Sequence, residues 1–340
     1  YLIKIYLTCL SILNIIPKDL YLIYSIDMFF SEALFDSFNE SNKSAISRQE
    51  LYSYFLEIWS EKKYKDIKIS DLRYNSKHYR KKFRSVLYEL ERNPKLKSIG
   101  EDLPSYFINL NKSPLNASQV ICDLYPIGYI SYLSAMEFHK LTPPKNHQHI
   151  CFTTLDRKSW KEVFYGVLAE ISYPFFEDTY QHDLLELIPR FPTEEKYLDQ
   201  DLVVFTTKHL NGFETQNGLK VRQLPFLFLD MVRTPQYCGG VETVLSVFKK
   251  YANLLLEDIL EITQTEGTNI DKARIGFILD EILNIKHTTI DKWKTMMIDQ
   301  RGGSRKFVAY LPFEPRFSDI WNISLNHTSL QAYGKVIDKK

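Results

Sequence analysis

A strongly amphipathic segment near residue 80 constrains the fold more than any other feature of the chain. From Lys77 to Arg92 apolar side chains recur at helical spacing, which predicts a helix with one buried face. The apolar stripe is Tyr79, Phe83, Val86, Leu87 and Leu90, and the other side carries Lys77, Arg80, Lys81 and Arg84. Asn93-Pro94 ends this helix, because proline excludes the preceding residue from the helical region. A core must therefore lie beneath one side, with positive charge on the other.

Two helices are predicted before this segment and a hairpin after it. Residues 28–40 and 46–61 have apolar positions at helical spacing, and Ser47 with Glu50 has the spacing of a capping box. The runs "KLKSIG" and "SYFINL", separated by "EDLP", predict a small hairpin. Three helices followed by a hairpin form the order of a winged helix-turn-helix module, here over residues 28–110. In such modules the last helix enters the major groove of DNA.

The charge distribution agrees with a surface that docks a polyanion. The formal net charge is only +1, yet residues 61–100 hold thirteen Lys or Arg against five acidic residues. A basic segment on a mildly acidic body is typical of nucleic-acid binding, and a solvated charged helix face is the alternative. The side chains expected to contact DNA are Asn75, Ser76, Lys77, His78, Arg80, Lys81 and Arg84, with Lys95 and Lys97 on the hairpin. Arginine can pair with guanine edges, whereas lysine mainly neutralises phosphates.

Beyond a linker at 111–114 the pattern changes to mixed elements. We predict helices near 117–123 and 131–140, strands at 147–155, 163–171 and 201–207, and helices from 224 to 297 with breaks at 235–240 and 267. The fold class is therefore α+β or mixed: an N-terminal winged helix-turn-helix, then a larger mixed α/β domain at 115–299 that ends in helices. Residues 300–340 are interpreted as a basic loop and C-terminal tail.

The first 27 residues form an extra N-terminal segment of uncertain status. Its apolar run is interrupted by polar residues and ends at Pro17, short of the roughly 20 residues that a membrane span needs. The four cysteines lie far apart without a Cys-x-x-Cys pair, which favours reduced thiols in a cytoplasm. We therefore expect a cytoplasmic protein without a membrane partner.

The stretch "GYISYLSAMEFHKLT" (128–142) contains serines, a glutamate and a histidine, as hydrolytic sites do. In a helix, however, Ser131 and His139 would be roughly 12 Å apart along the axis, too far for a nucleophile and its base. Ser134 and Glu137 instead have the spacing of a capping box. We interpret this stretch as packing and capping.

Other candidate sites are weaker. His147, His149 and Cys151 share a strand face and could bind zinc, but an alternating strand with polar residues outward is the simpler interpretation. Asp199 and Asp201 suggest the paired carboxylates of a nucleotidyltransferase. Asp183, Glu194 and Lys196 suggest a metal-dependent nuclease, which leaves an enzyme as the alternative function.

Two glycine-containing segments could contact an anion. Gly239-Gly240 precede a helix, although a sharp turn explains them as well. "QRGGSRK" (300–306) is predicted to be a flexible basic loop. It is either a linker or a secondary phosphate contact through Arg301, Arg305 and Lys306.

Three stretches together resemble a known family. They are "YPIGYISYLSAMEFHKLT" (125–142), "FLDMVRTPQYCGGVETVL" (228–245) and "QRGGSRK" (300–306). In order and spacing they are similar to the AbiEi family of type IV antitoxins, and the match spans most of 28–306.

The resemblance implies a prokaryotic antitoxin of an abortive-infection, phage-defence system. Its winged helix would bind inverted repeats in the promoter and repress its own operon. Its larger domain would counter a co-encoded nucleotidyltransferase toxin, typically without a stable antitoxin–toxin complex. Neither a catalytic site nor a cofactor is expected. A protein that binds the toxin directly remains a further alternative.

Overall fold

The computed structural model describes residues 27–72, 78–143, 149–170, 186–299 and 305–336. Helices and several β-sheets alternate along them, so the predicted mixed class of helix and sheet is confirmed. The chain divides into two compact units, each built from two stretches. The first holds the described residues up to Tyr125 and those of Lys161–Phe191, and the second holds those of Pro126–Trp160 and those from Pro192 onward.

The first unit combines helices with a three-stranded sheet. Its elements are α1 (Phe30–Glu40), β1 (Ala45–Ser47), α2 (Arg48–Glu61), β2 (Lys63–Tyr64), β3 (Ile67–Lys68), α3 (Tyr79–Glu91), β4 (Leu96–Ile99), β5 (Tyr106–Asn109) and α4 (Ala117–Leu124). The strand order is β1-β5-β4 with antiparallel neighbours, and β2 and β3 form a separate ribbon. The three predicted helices and the hairpin are confirmed, and β1 is an additional strand that pairs with the hairpin.

Aromatic rings from three helices fill the core of the first unit. Phe30 of α1, Phe55 of α2 and Phe83 of α3 are buried. The ring centroids of Phe30 and Phe55 are 4.6 Å apart, and those of Phe55 and Phe83 are 5.1 Å apart. Burying one such side chain contributes roughly 1.5–3 kcal/mol. The apolar spacing seen in the sequence therefore packs α3 against α1 and α2 through one face.

Half of the predicted capping box at α2 is present. Ser47 is the N-cap, and its hydroxyl accepts a hydrogen bond from the Glu50 amide at 3.1 Å. The Glu50 carboxylate accepts hydrogen bonds from Lys43 and Tyr54. The predicted cap at Ser47 is confirmed, whereas the carboxylate turns to neighbouring side chains.

The second unit contains a six-stranded mixed sheet, a helical part and a smaller sheet. Its helices are α5 (Tyr132–Phe138), the first residues of α6 (Arg157–Glu170, assigned to the first unit from Lys161 onward), α7 (Leu224–Arg233), α8 (Gly240–Tyr251), α9 (Leu256–Thr265), α10 (Asn269–Phe277) and α11 (Thr288–Asp299). The strands are β6 (Tyr129–Ile130), β7 (His149–Leu155), β8 (Lys196–Tyr197), β9 (Gln200–Thr207), β10 (Phe213–Gln216), β11 (Leu219–Arg222), β12 (Arg305–Lys306), β13 (Arg316–Ser318), β14 (Ile323–Ser324) and β15 (Lys335–Val336). The strand orders are β10-β11-β6-β7-β9-β8 and β12-β14-β13-β15.

A buried ion pair holds β11 of the larger sheet to α7. The Arg222 guanidinium donates to both carboxylate oxygens of Asp230, with Nε–Oδ2 and Nη2–Oδ1 distances of 2.8 and 2.9 Å. It also donates to the Tyr129 hydroxyl and the Asn211 carbonyl. Because every partner is in place, the two buried charges are compensated.

The predicted strand near residues 163–171 is wrong. This stretch belongs to α6, apart from residue 171, which lies outside the described residues. Asp156 starts the helix, because its carboxylate accepts hydrogen bonds from the amides of Lys158 and Ser159 at 3.1 and 2.9 Å. An acidic N-cap is a recognisable start signal for a helix and outweighs the local run of β-forming residues.

The predicted capping role of Ser134 is also wrong. Helix α5 begins at Tyr132, so Ser134 lies inside it, and its hydroxyl accepts a hydrogen bond from the Cys151 amide of β7 at 3.0 Å. Ser131 is buried and accepts a hydrogen bond from the Thr153 hydroxyl, while His139 Nε2 bonds to the Arg222 carbonyl oxygen. The interpretation of this stretch as packing is confirmed, because Ser131 and Ser134 both form hydrogen bonds with residues of β7.

The described cysteines are buried thiols. None of Cys122, Cys151 and Cys238 takes part in a disulfide bond among the described residues. Burial raises the pKa of Cys151 to about 11. Burial also raises the pKa of Cys238, so Cys151 and Cys238 are protonated at neutral pH and act as small apolar side chains. Within the part of the chain that the structure describes, no helix has the length and apolar character to cross a membrane.

Candidate nucleic-acid interface

Helix α3 presents a basic face on the side opposite the core. Phe83, Val86, Leu87 and Leu90 are buried, as the sequence predicted. Arg80, Lys81 and Arg84 are exposed, and so is His78, which immediately precedes the helix. Arg80 and Arg84 lie one turn apart, so their guanidinium groups project from the same side of the helix. Arg80, Lys81 and Arg84, which were predicted to contact DNA, therefore lie together on the exposed face of α3.

Lys82 lies within the same basic run but faces inward. Its side chain is only 7% exposed, and its ammonium pairs with the Asp71 carboxylate. Asp71 also accepts a hydrogen bond from the Phe30 amide at the start of α1, at 3.0 Å. Lys82 thus ties α3 to α1 through the segment after β3. The positive charge of Lys82 is therefore paired with a carboxylate inside the first unit.

Three of the predicted contacts cannot be placed. Asn75, Ser76 and Lys77 lie outside the described residues. They immediately precede His78, which is the N-cap of α3. For these three residues, contact with DNA remains a prediction from the sequence.

The two hairpin lysines lie in different surroundings. Lys97 is exposed on β4, where it pairs in register with Ile108 of β5. Lys95 precedes β4, and its ammonium lies 5.6 Å from the ring centroid of Phe35 on α1. An ammonium over an aromatic face gains roughly 0.5–1 kcal/mol at an exposed site. Lys95 is therefore held towards α1, whereas Lys97 is presented to solvent.

Two further arginines lie near α3, and the sequence did not point to them. Arg190 Nη1 donates to the Ser105 hydroxyl at 3.1 Å, and the Arg48 amide donates to the Ser105 carbonyl at 2.9 Å. Burial, and the positive charges of Arg190 and Arg84, lower the pKa of the Arg48 guanidinium. Because 85 residues separate Arg190 from Ser105 along the chain, spacing gave no signal for this contact.

The other predicted phosphate contact is embedded in the smaller sheet. Arg305 and Lys306 form β12, which pairs in parallel with β14, so the prediction of a flexible loop is wrong for these two residues. The Lys306 ammonium donates to the Leu311 carbonyl at 2.9 Å, and Arg305 Nη1 contacts the Met297 sulfur at 3.6 Å. Arg301 lies outside the described residues.

The glycine pair at the start of α8 forms a sharp turn. Gly239 is the N-cap, and Gly239 and Gly240 have φ angles of 82° and 89°. Glycine adopts this left-handed conformation at low cost, unlike other residues. The turn interpretation is therefore confirmed.

Three of the residues proposed for an enzyme, Lys196, Asp199 and Asp201, lie on the hairpin of β8 and β9. Asp199 occupies the turn between β8 and β9 with a φ of 68°, and Lys196 pairs in register with Asp201. Glu194 is exposed nearby, and Asp183 lies outside the described residues.

The strand proposed for zinc has two described candidates. His149 is exposed and lies 3.7 Å from the Asp201 carboxylate, while Cys151 is buried. His147 lies outside the described residues. Among those described, no three His, Cys, Asp or Glu side chains form a cluster suited to a metal ion.

Two comparisons with known proteins give no match. No model of a known protein family fits this chain. A search among curated proteins likewise finds no relative.

Proposed function

We propose that this chain is a DNA-binding repressor of its own promoter and the antitoxin of a type IV toxin–antitoxin system. One observation carries the DNA-binding part: the solvent face of α3 presents Arg80, Lys81 and Arg84 while its other face packs in the core. A fixed helix with a convex basic face suits the major groove of B-DNA.

A winged helix-turn-helix is the proposed fold of the first unit. In support, α1, β1, α2, α3, β4 and β5 follow one another in the order of that fold, and β5 lies between β1 and β4. The β2–β3 ribbon is an addition between α2 and α3. In this arrangement α3 is the recognition helix and the β4–β5 hairpin is the wing, which would follow the flanking phosphates.

Each exposed cation has a proposed role. Arg80 and Arg84 can form paired hydrogen bonds with the O6 and N7 atoms of guanine. Lys81 and Lys97 would neutralise phosphates and set the register of the protein on the duplex. Lys95 is held over Phe35, so we expect its replacement to weaken DNA binding less than replacement of Lys97.

The second unit is proposed to carry the antitoxin activity, on the basis of the sequence resemblance to AbiEi antitoxins. Two resembling stretches, 125–142 and 228–245, are neighbours in this unit. Helix α5 packs against α7, and the rings of Tyr132 and Tyr237 are 5.9 Å apart. The proposed target is a co-encoded nucleotidyltransferase toxin, countered in the cytoplasm without a stable complex and without a cofactor or catalysis by this chain.

Charge reversal of the α3 face tests the DNA-binding proposal. The variant R80E/K81E/R84E should bind a duplex from the region upstream of its own gene at least about 100-fold more weakly than the wild type. Each base contact contributes about 1–3 kcal/mol, so the combined loss is large. The matched control is K249E, an exposed lysine on α8 of the second unit. Equal affinity of the triple variant and the wild type at moderate salt would refute the proposal.

Co-expression tests the antitoxin part. A nucleotidyltransferase encoded beside this gene should arrest growth, and this chain should restore growth without co-purifying with that enzyme. Stable co-purification would instead support direct toxin binding. Failure to restore growth would contradict the antitoxin role.

A further inference from the structure

The start of β5 brings together two arginines that are far apart in the sequence. Ser105, which immediately precedes β5, uses its carbonyl oxygen to accept a hydrogen bond from the Arg48 amide at 2.9 Å. Its hydroxyl accepts one from Arg190 Nη1 at 3.1 Å. Ser105 is itself fixed, because its amide donates to the Ile99 carbonyl of β4 at 2.7 Å. Both arginines are therefore anchored at one corner of the three-stranded sheet.

Arg190 belongs to a segment that is packed into the first unit. Leu187, three residues earlier, is buried in the same apolar core as Phe55 and Phe83, and Ile188 packs against that core. The arginine follows this packed anchor and is itself exposed. Arg190 is thus positioned by the packing of Leu187 and Ile188 before it and by the hydrogen bond of its guanidinium to Ser105.

Positive charge is concentrated at this corner. Burial is the main cause that lowers the pKa of the Arg48 guanidinium, and the positive charges of Arg190 and Arg84 lower that pKa further. The Glu186 carboxylate acts in the opposite direction and raises the pKa of Arg48. Guanidinium groups that repel one another are stabilised by an anion that each can bind through paired N–H donors.

We propose that Arg48, Arg84 and Arg190 form a clamp for one phosphate of the DNA backbone. This proposal rests on the proposed function, because Arg84 lies on the face of α3 assigned to DNA. It extends the interface from α3 to the corner of the sheet and includes the segment 186–191. Ser105 acts as a positioning residue that directs the Arg190 guanidinium.

Duplex binding by full-length variants tests the clamp. Replacement of Arg190 by alanine should weaken binding about three- to tenfold, and to the same extent on the promoter duplex and on a scrambled duplex. A phosphate contact carries no sequence information, so the loss must not depend on sequence. The slope of log K against log salt should become shallower by about 1, since one fewer phosphate is neutralised. Arg48→Ala should act in the same way.

Two conservative changes separate charge from position. Arg190→Lys keeps the charge, so it should retain the salt slope while losing part of the affinity. Ser105→Ala removes only the hydroxyl acceptor, so it should also retain the salt slope and weaken binding slightly. Lys249→Ala, an exposed lysine on α8, is the control and should change neither quantity. Urea unfolding of each variant verifies that the fold is intact.

The outcomes distinguish the clamp from the proposed function. If the wild type binds the promoter duplex and Arg190→Ala changes neither affinity nor salt slope, the clamp is refuted and the DNA-binding proposal stands. A loss confined to the promoter duplex would also refute the clamp, because it would indicate base recognition. If the wild type binds neither duplex, both proposals fail.

Discussion

The ammonium of Lys82 is paired with the carboxylate of Asp71, although Lys81 beside it in the sequence points to solvent. Two adjacent lysines on one helix therefore have different roles. Lys82 secures α3 to the core, and Lys81 is available to a partner. A basic run in a sequence therefore overstates the charge that a surface displays.

Replacing each of these lysines by methionine should separate stability from binding. Lys82→Met leaves the Asp71 carboxylate without its ammonium, so the free energy of unfolding should fall by about 1.5–3 kcal/mol. Lys81→Met removes an exposed charge, so stability should change by less than about 0.5 kcal/mol. Urea unfolding followed by circular dichroism measures both. Equal stability of the two variants would contradict the assigned role of Lys82.

Two glycines in helices should respond to alanine in opposite directions. A Cβ on Gly276 of α10 would come within 2.2 Å of the Trp321 ring, whereas one on Gly166 of α6 would meet no atom within 4 Å. Gly276→Ala should therefore lower stability by about 1–3 kcal/mol through overpacking. Gly166→Ala should raise it by about 0.5–1 kcal/mol, because alanine favours the helix. Thermal unfolding measures both, with tryptophan fluorescence reporting displacement of Trp321.

The pair Arg233–Asp271 should contribute to acid sensitivity. The Asp271 carboxylate accepts hydrogen bonds from Arg233 at 2.8 and 3.0 Å and from Thr268. Burial raises the pKa of Asp271, but these bonds outweigh burial, so its pKa lies below the ordinary value of 3.8. A carboxyl group with a lowered folded-state pKa stabilises the fold above its unfolded-state pKa. That contribution is lost as the pH falls through the folded-state value.

Asp271→Asn should therefore be less stable than the wild type at pH 7, and the difference should shrink below about pH 4. Urea midpoints measured between pH 7 and pH 2.5 test this. Asp258→Asn, an exposed carboxylate in the first turn of α9, is the control. A stability difference that stays constant over this range would argue against the assigned pairing.

Sequence periodicity predicted the first unit well because local packing decides its helices. The spacing of Phe83, Val86, Leu87 and Leu90 defines the buried face of α3, and Ser47 marks the start of α2. Strand β1 was not predicted, because three residues are too few to show an alternating pattern. Its pairing partner, β5, lies about 60 residues later in the sequence.

Errors arose where distant contacts override local spacing. Ser134 had a capping spacing, yet its hydroxyl bonds to Cys151 across the chain. The run at 163–171 favoured a strand locally, whereas the Asp156 cap sets a helix. Arg190 is placed beside Ser105 by a hydrogen bond between residues 85 positions apart, and no local sequence pattern encodes such a contact.

The most direct test of the central claim is fluorescence anisotropy with the duplex upstream of this gene and a scrambled duplex of equal composition. The proposal predicts tighter binding to the upstream duplex at physiological salt, with affinity on both falling steeply as salt is added. It also predicts that R80E/K81E/R84E loses the preference. Equal affinity of the wild type for the two duplexes, or binding that does not depend on salt, would contradict sequence-specific repression by α3.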